Sequence, residues 1–169
     1  VSSSRTKGDD MGATHSRADF GDGIPHGAGE TTTEQRIEFI SAHDQLVELF
    51  GMEVEEAGEG FATVSATVHD GFLNSHKLAH GSFIFAVADV AFALAVNSLI
   101  DAVGVDYSLS LFRSTRIGDR ITARCRIVHR GQRLIVVEFK VTAAPNRLLA
   151  KGQATALPLQ TTRRHPRAG

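Results

Sequence analysis

Cysteine is nearly absent from this 169-residue chain: Cys125 stands alone. One cysteine excludes an internal disulfide framework and any zinc site built on cysteine pairs. It suits a reducing, cytoplasmic compartment. Charge excess is missing too, with 18 Lys and Arg against 19 Asp and Glu, a formal net of −1. That balance argues against nucleic acid or an anionic membrane surface as the main partner. No apolar run reaches the about 20 residues that a bilayer crossing requires, and the first residues hold no continuous apolar core of a signal peptide. Large apolar side chains are scarce before residue 34, so residues 1–34 read as a disordered tail. Residues 160–169 are basic and read as a flexible tail. One domain is left, residues 35–159, long enough to bury a real core.

What the chain does have is a central stretch from Phe72 to Ser98. From Ser82 to Val96 every residue is apolar except Ser82 and Asp89. Ala86, Ala88, Ala91, Ala93 and Ala95 favour helix, and the length makes about four turns, apolar all round and therefore buried on all sides. Asp89 is the exception. An unpaired carboxylate in an apolar setting costs several kcal/mol or becomes neutral, so it requires a partner or a chemical task.

The flanking segments must wrap that helix. Gln35 to Phe50 places Ile37, Ile40, Val47 and Phe50 on one face, with Thr31 and Glu34 as a capping box and Gly51 as the stop. Phe61 to Val68 alternates with period two, a half-buried strand, and Met52 to Ala57 is its hairpin partner across Gly58-Glu59-Gly60. After the helix come four more alternating segments: Val105–Leu111, Ile121–Ile127, Ile135–Val141 and Leu148–Leu157. Their connectors, Gly118-Asp119, Gly131-Gln132-Arg133 and Pro145-Asn146-Arg147, are turn chemistry and predict an antiparallel meander. An α+β protein follows, one long antiparallel sheet wrapped around a central buried helix. That layout is the hotdog fold.

The motifs are then recognisable. Leu73-Asn74-Ser75-His76, His80-Gly81-Ser82-Phe83 and Ala88-Asp89-Val90-Ala91-Phe92 with Asn97-Ser98 resemble the PaaI-like acyl-CoA thioesterases of phenylacetate degradation. The family pattern runs L-N-x-H, H-G-G, then a helix carrying L-A-D-x-A and ending in N-S. Leu111-Phe112-Arg113 and Ile117-Gly118-Asp119 resemble the strand and turn that follow. Across Phe39 to Leu157, the resemblance implies that Gly81 supplies a backbone N–H to the thioester oxygen, Asp89 is nucleophile or general base, and Asn74 positions carboxylate or water. Ser82 departs from the second glycine of H-G-G. The implied substrate is (hydroxy)phenylacetyl-CoA or a related aryl or medium-chain acyl-CoA. No cofactor is implied, since coenzyme A belongs to the substrate.

Thioester hydrolysis builds negative charge on the carbonyl oxygen, which helix N-terminal N–H groups suit. Gly81 and Asp89 are eight positions apart, about 12 Å on one helix, too far to meet at one carbonyl. If both are catalytic, the site needs Asp89 from a second copy: a dimer at minimum, with a tetramer as the favoured assembly. The plainer readings stand beside these: Asp89 as a buried structural carboxylate, Gly81 as a tight helix entry, Asn74 as a loop closer. His80 is read as orienting its loop. Phe72 and Phe83, near the helix entry, are candidates to touch the acyl group but are equally core residues. Arg113, Arg130 and Arg133 are candidates for the phosphates of coenzyme A, against a solvated Arg-rich strand face that includes Arg120, Arg124 and Arg126. His69, Asp70, His76 and His80 lack a fixed metal spacing, so no metal is expected. Two other functions compete: a non-catalytic acyl-CoA-binding regulator, which would carry a helix-turn-helix and dispense with the carboxylate, and an enoyl-CoA hydratase, which would need a His and an acid facing one carbon.

Overall fold

The computed structural model describes residues 31–159; the assigned tails otherwise lie outside these residues. Three helices and six strands follow in order: α1 Thr33–His43, α2 Gln45–Leu49, β1 Glu53–Gly58, β2 Phe61–Thr67, α3 Gly81–Asn97, β3 Ala102–Leu111, β4 Arg120–Arg130, β5 Ile135–Ala143 and β6 Arg147–Pro158. The strands form one antiparallel sheet in the order β1-β2-β4-β5-β6-β3. It is the hotdog layout, with α3 lying against the sheet.

Three local expectations change. The helix expected over 35–50 is two helices, broken at Asp44. That residue is extended (φ −75°, ψ 108°), its N–H closes α1 on the Ile40 carbonyl, and its carboxylate accepts the Leu46 N–H at the start of α2. A side chain that caps a new helix competes with continuing the old one. The capping box exists, one residue later than expected, between Thr32 and Gln35. Finally, Thr63 and Ser65 on β2 are buried although the strand was expected to bury one face only. Both are short, and they are flanked across the ladder by the longer Glu53 and Glu56 of β1 and Arg124 of β4.

The meander is also interrupted. β4, β5 and β6 pair in sequence, but β3 pairs with β6, not β4, and becomes the far edge of the sheet. Three inter-strand steps, about 14 Å, separate β3 from β4. The connector from Phe112 to Asp119 is long enough to bridge them in extended form. Its burden is the brace beneath the entry to α3: the Thr115 carbonyl accepts the Ala79 N–H at 2.8 Å, and Val68 exchanges backbone bonds with Gly118 and Asp119 at 2.9 Å each. Asp119 ties the turn by accepting from the Thr115 hydroxyl at 2.6 Å, the Arg116 N–H at 3.0 Å and Arg147 at 2.9 Å. Those donors hold its carboxyl below the ordinary range, the Thr115 bond being the largest influence.

The core lies between α3 and the sheet. Val87, Val90, Leu94 and Val96 meet Val64, Ile121, Val137, Val141 and Leu149, all fully or almost fully buried. At the other end of the helix, the buried Ser98 hydroxyl accepts the Gly60 N–H and donates to the Ala95 carbonyl, while Asn97 accepts the Ala102 N–H that opens β3. Contrary to expectation, α3 is not buried on every side. Ser82, Phe85, Ala86, Asp89, Ala93 and Asn97, at spacings of three and four, form a stripe that one copy leaves partly open. Leu94 sits on the buried side at 0 % exposure. Leu94→Ala should lower unfolding free energy by about 2–5 kcal/mol, read from the midpoint and slope of urea denaturation.

Candidate active site

The entry to α3 is built by short-range bonds. Asn74 closes the preceding loop: its side-chain oxygen accepts the N–H groups of His76 at 2.9 Å and Leu78 at 3.2 Å. Lys77 takes a left-handed conformation there, φ 59°. Asn74 therefore has the loop-closing role, and its amide NH₂ remains to donate. His80 is the N-cap of α3, with Nδ1 accepting from the Ser82 N–H at 3.2 Å and lying 2.8 Å from the Ser82 hydroxyl. An accepting Nδ1 places the neutral ring's proton on Nε2. The hydroxyl of Ser82, the departure from the double glycine, is thus held on the His80 ring.

These bonds single out Gly81. In the first turn, Ser82 N–H goes to His80 Nδ1, and Phe83 and Ile84 N–H go to the His80 carbonyl. The Gly81 N–H has no acceptor among the described residues, and it sits at the positive end of a 17-residue helix. A side chain at 81 would also be crowded, because its Cβ would come 2.9 Å from Leu111 Cδ1 on β3. Glycine brings the helix start close to the edge strand.

Asp89 lies two turns further on, in the partly open stripe. Burial pushes its carboxyl above the ordinary Asp range; a hydrogen bond from Tyr107 opposes that rise, and the charge of Asp44 adds to it. Burial also pushes the Tyr107 hydroxyl well up, with its bond to Asp89 the next cause. Cys125, 3 % exposed, has its thiol held protonated by burial, which leaves it no role as a nucleophile. Tyr107 was counted in the sequence only as an apolar strand position. Its being the chain's one tyrosine, on a strand after the helix, was the available signal.

The other candidates separate. Phe83 is 2 % exposed and stacks on Phe72 at 4.5 Å, with Phe50 edge-on to both. This cluster seals the end of α2 and the turn at Phe72 onto α3, with Phe83 in the core; in one copy, Phe83 offers no open face to an acyl group. Arg113, Arg130 and Arg133 are exposed but do not converge in one chain. Arg113 follows the end of β3 that aligns with Ala150, Val141 and Ala123, whereas Arg130 is at the far end of β4, roughly 20 Å along the strands. Arg120 is occupied by Glu53 and Glu55 at 2.8 and 3.1 Å, and Arg126 reaches Glu138 at 3.5 Å. Among the described residues no three His, Cys, Asp or Glu side chains group to hold a metal ion, and no helix is long and apolar enough to cross a membrane.

A hotdog sheet packed on one central apolar helix is a fold that thioesterases share with other activities. The thioesterase superfamily model matches residues 76–150. The acyl-coenzyme A thioesterase PaaI of Escherichia coli K12 is 31 % identical over 117 residues, covering 69 % of this chain and 84 % of PaaI. The solved E. coli PaaI structure superposes with a TM-score of 0.74 at 27 % identity, covering 76 % of this chain and 94 % of PaaI. A Streptococcus mutans protein, smu.793, solved bound to acetyl CoA, gives a TM-score of 0.62 at 28 % identity over 64 % of this chain and 88 % of its own. The chain belongs to the hotdog thioesterase superfamily, on its PaaI-like acyl-CoA thioesterase side, and is a thioester hydrolase.

The buried carboxylate has a thermodynamic consequence. A carboxyl whose folded pKa is raised favours folding in its protonated form, and that contribution is lost as pH rises through the folded pKa. At neutral pH the charged Asp89 therefore opposes folding. Asp89→Asn should raise the melting temperature at pH 7 relative to the native protein, and the difference should shrink as pH falls towards 4, as measured by thermal scans across that range.

Proposed function

We propose that this protein hydrolyses an acyl-CoA, a (hydroxy)phenylacetyl-CoA or related aryl or medium-chain thioester, at a site shared between two copies. The observation that carries the reading is the placement of Gly81 and Asp89 over the free edge strand. α3 runs antiparallel to β3, with Gly81 against Leu111, and with Phe85 and Phe92, which flank Asp89 on the helix, against Tyr107. In one chain those strand positions are four residues apart, about 13 Å, so one thioester cannot touch both groups. A twofold axis through Leu109, pairing two β3 edges antiparallel, brings Tyr107 of one copy opposite Leu111 of the other. It carries each Asp89 towards the Gly81 of its partner. The surfaces favour such a pairing: β3 is an edge, and Val105, Leu111 and Phe112 are each 51–54 % exposed. An apolar edge strand of ten residues is otherwise open to uncontrolled pairing. A dimer is the minimum, and a tetramer of two such dimers is the assembly we favour.

The chemistry follows. The Gly81 N–H and the helix dipole stabilise the carbonyl oxygen as it becomes negative. The partner copy's Asp89, ionised, either removes a proton from the attacking water, giving the acid directly, or attacks the thioester carbon to form a mixed anhydride that water then hydrolyses to the acid and free Asp89. On both routes the carbon–sulfur bond breaks, and CoA leaves as the thiolate and is protonated by solvent. Asn74, His80 and Ser82 hold the loop over this point. Coenzyme A enters as part of the substrate and no further cofactor takes part. Arg130 and Arg133, at one end of the sheet, and Arg113, at the other, are assigned to the CoA phosphates from different copies. Neutralising them should raise KM more than it lowers kcat.

Thiol release from a panel of acyl-CoAs tests the activity: Asp89→Ala should lose at least about two orders of magnitude in kcat. The shared site has its own test. Gly81→Pro deletes the N–H at a helix position that tolerates proline. Mixing inactive Asp89→Ala with inactive Gly81→Pro, after dissociation and reassociation, should restore activity, because one of the two sites in a mixed dimer regains both groups. A mixture as inactive as its components would exclude the sharing.

A further inference from the structure

We propose that the outer face of the sheet, the side away from α3, holds a site for a small ligand carrying two or more phosphate groups, formed by Arg124, Lys140 and Lys151. The inference does not rest on the hydrolase reading, because it concerns the opposite face of the sheet from Gly81 and Asp89. Strand register sets these cations side by side. Read across all six strands, one row runs Glu56, Thr63, Arg124, Lys140, Lys151, Ser110. Side chains alternate between the two faces along a strand. Ala123, Cys125, Phe139, Val141 and Ala150 are buried in the core, so Arg124, Lys140 and Lys151 point the other way, and all three are exposed.

The row spans two inter-strand steps, about 10 Å. Like charges directly opposite each other destabilise a sheet, and the two such pairs here, Arg124 with Lys140 and Lys140 with Lys151, share one lysine. The three cations close no ion pair among the described residues, and nearby carboxylates are engaged elsewhere. Glu138 reaches Arg126 at 3.5 Å, while Glu53 and Glu55 hold Arg120 at 2.8 and 3.1 Å. The charge of Arg124 is only the last of several influences on Glu55, and Glu56 stands two strands from Arg124. A row that alternated in sign would fold better. Local rules of this kind are broken where function requires it.

The row also borders a hollow. Arg124, Arg126, Lys140 and Lys151, with Glu138, line a cavity of about 370 Å³, four cations against one carboxylate. A second cavity, of about 270 Å³, adjoins it at Arg124, where Thr122 and Thr142 face each other across β4 and β5. Guanidinium and ammonium groups donate charge-assisted bonds to phosphate oxygens, and the two hydroxyls can add neutral ones. Extent and sign choose the occupant. A single small anion fills one gap between neighbouring strands, whereas linked phosphates meet all three cations. A nucleic-acid strand would run on to Glu53, Glu55 and Glu56 of β1. A second copy fits poorly, because a twofold axis through the row would set its cations against their own image.

The test is calorimetric binding of inorganic pyrophosphate to the full chain at fixed ionic strength, with chloride as the control. We expect saturable binding, weakened at least about tenfold in the double variant Lys140→Gln, Lys151→Gln. Without pyrophosphate that variant should melt a few degrees above the native protein, since the repulsion is gone. Saturating pyrophosphate should raise the native melting temperature and leave the variant's nearly unmoved. The KM for acyl-CoA should not change. Arg124→Gln carries the test if the double variant does not fold. Equal binding by native and variant proteins, or none beyond the chloride control, overturns the proposal. So does a change of assembly mass on Lys140→Glu with no pyrophosphate bound by the native protein, which would assign the face to a second copy. A KM that rises as pyrophosphate binding is lost would give the row to the phosphates of coenzyme A and overturn its standing as a separate site. Pyrophosphate binding by a protein that releases no thiol from any acyl-CoA would uphold the site and refute the hydrolase reading alone.

Discussion

The structure depends on the burial of one apolar helix against one sheet. α3 has no charged residue except Asp89, and its ends are held only by His80, Asn97 and Ser98, so its stability comes mainly from the apolar surface it removes from water. Everything nearby serves that packing: β2, β4 and β5 present small and branched side chains to it, α1 packs Ile37 and Ile40 against the core, α2 closes one end through the Phe50, Phe72 and Phe83 cluster, and Asn97 with Ser98 fastens the other. A single sheet does not reach around the whole helix. The stripe from Ser82 to Asn97 is what remains, and Asp89 stands in the middle of it.

Placing the carboxylate there ties stability to chemistry. Burial makes the charged form costly, which is unfavourable for folding at neutral pH, yet on the proposed reading a partly desolvated carboxylate is what attack on a thioester requires. Tyr107, whose ring lies between Phe85 and Phe92 on either side of Asp89, opposes the rise that burial imposes on its carboxyl.

On the proposed reading one copy is incomplete. Gly81 lies over β3, and β3 is one of the two edge strands of the sheet. An open edge, an exposed apolar strand and a half-covered helix stripe share one boundary. Covering any of them with a second copy covers the others.

Periodicity and composition by themselves determined the central helix, the six strands within a few residues, the antiparallel pairing and Asp89 as the odd residue of the helix; the candidates Gly81, Asn74 and His80 came with the family resemblance of their motifs. These are properties of neighbours in the chain: alternation, alanine content, and a lone acid in an apolar run all leave a local trace. The tertiary structure decided what depends on residues distant in sequence. It put β3 beside β6 because the connector from Phe112 is long enough to cross, which no pattern of alternation reveals. It sent Phe83 into the core and drew Arg113 away from Arg130 and Arg133, since strand register decides which end of a sheet each occupies. It put Tyr107 on the same face of β3 as Gly104 through a one-residue bulge. A single inserted residue reverses the faces of all that precedes it, and only hydrogen-bond pairing between separate strands shows where that reversal falls.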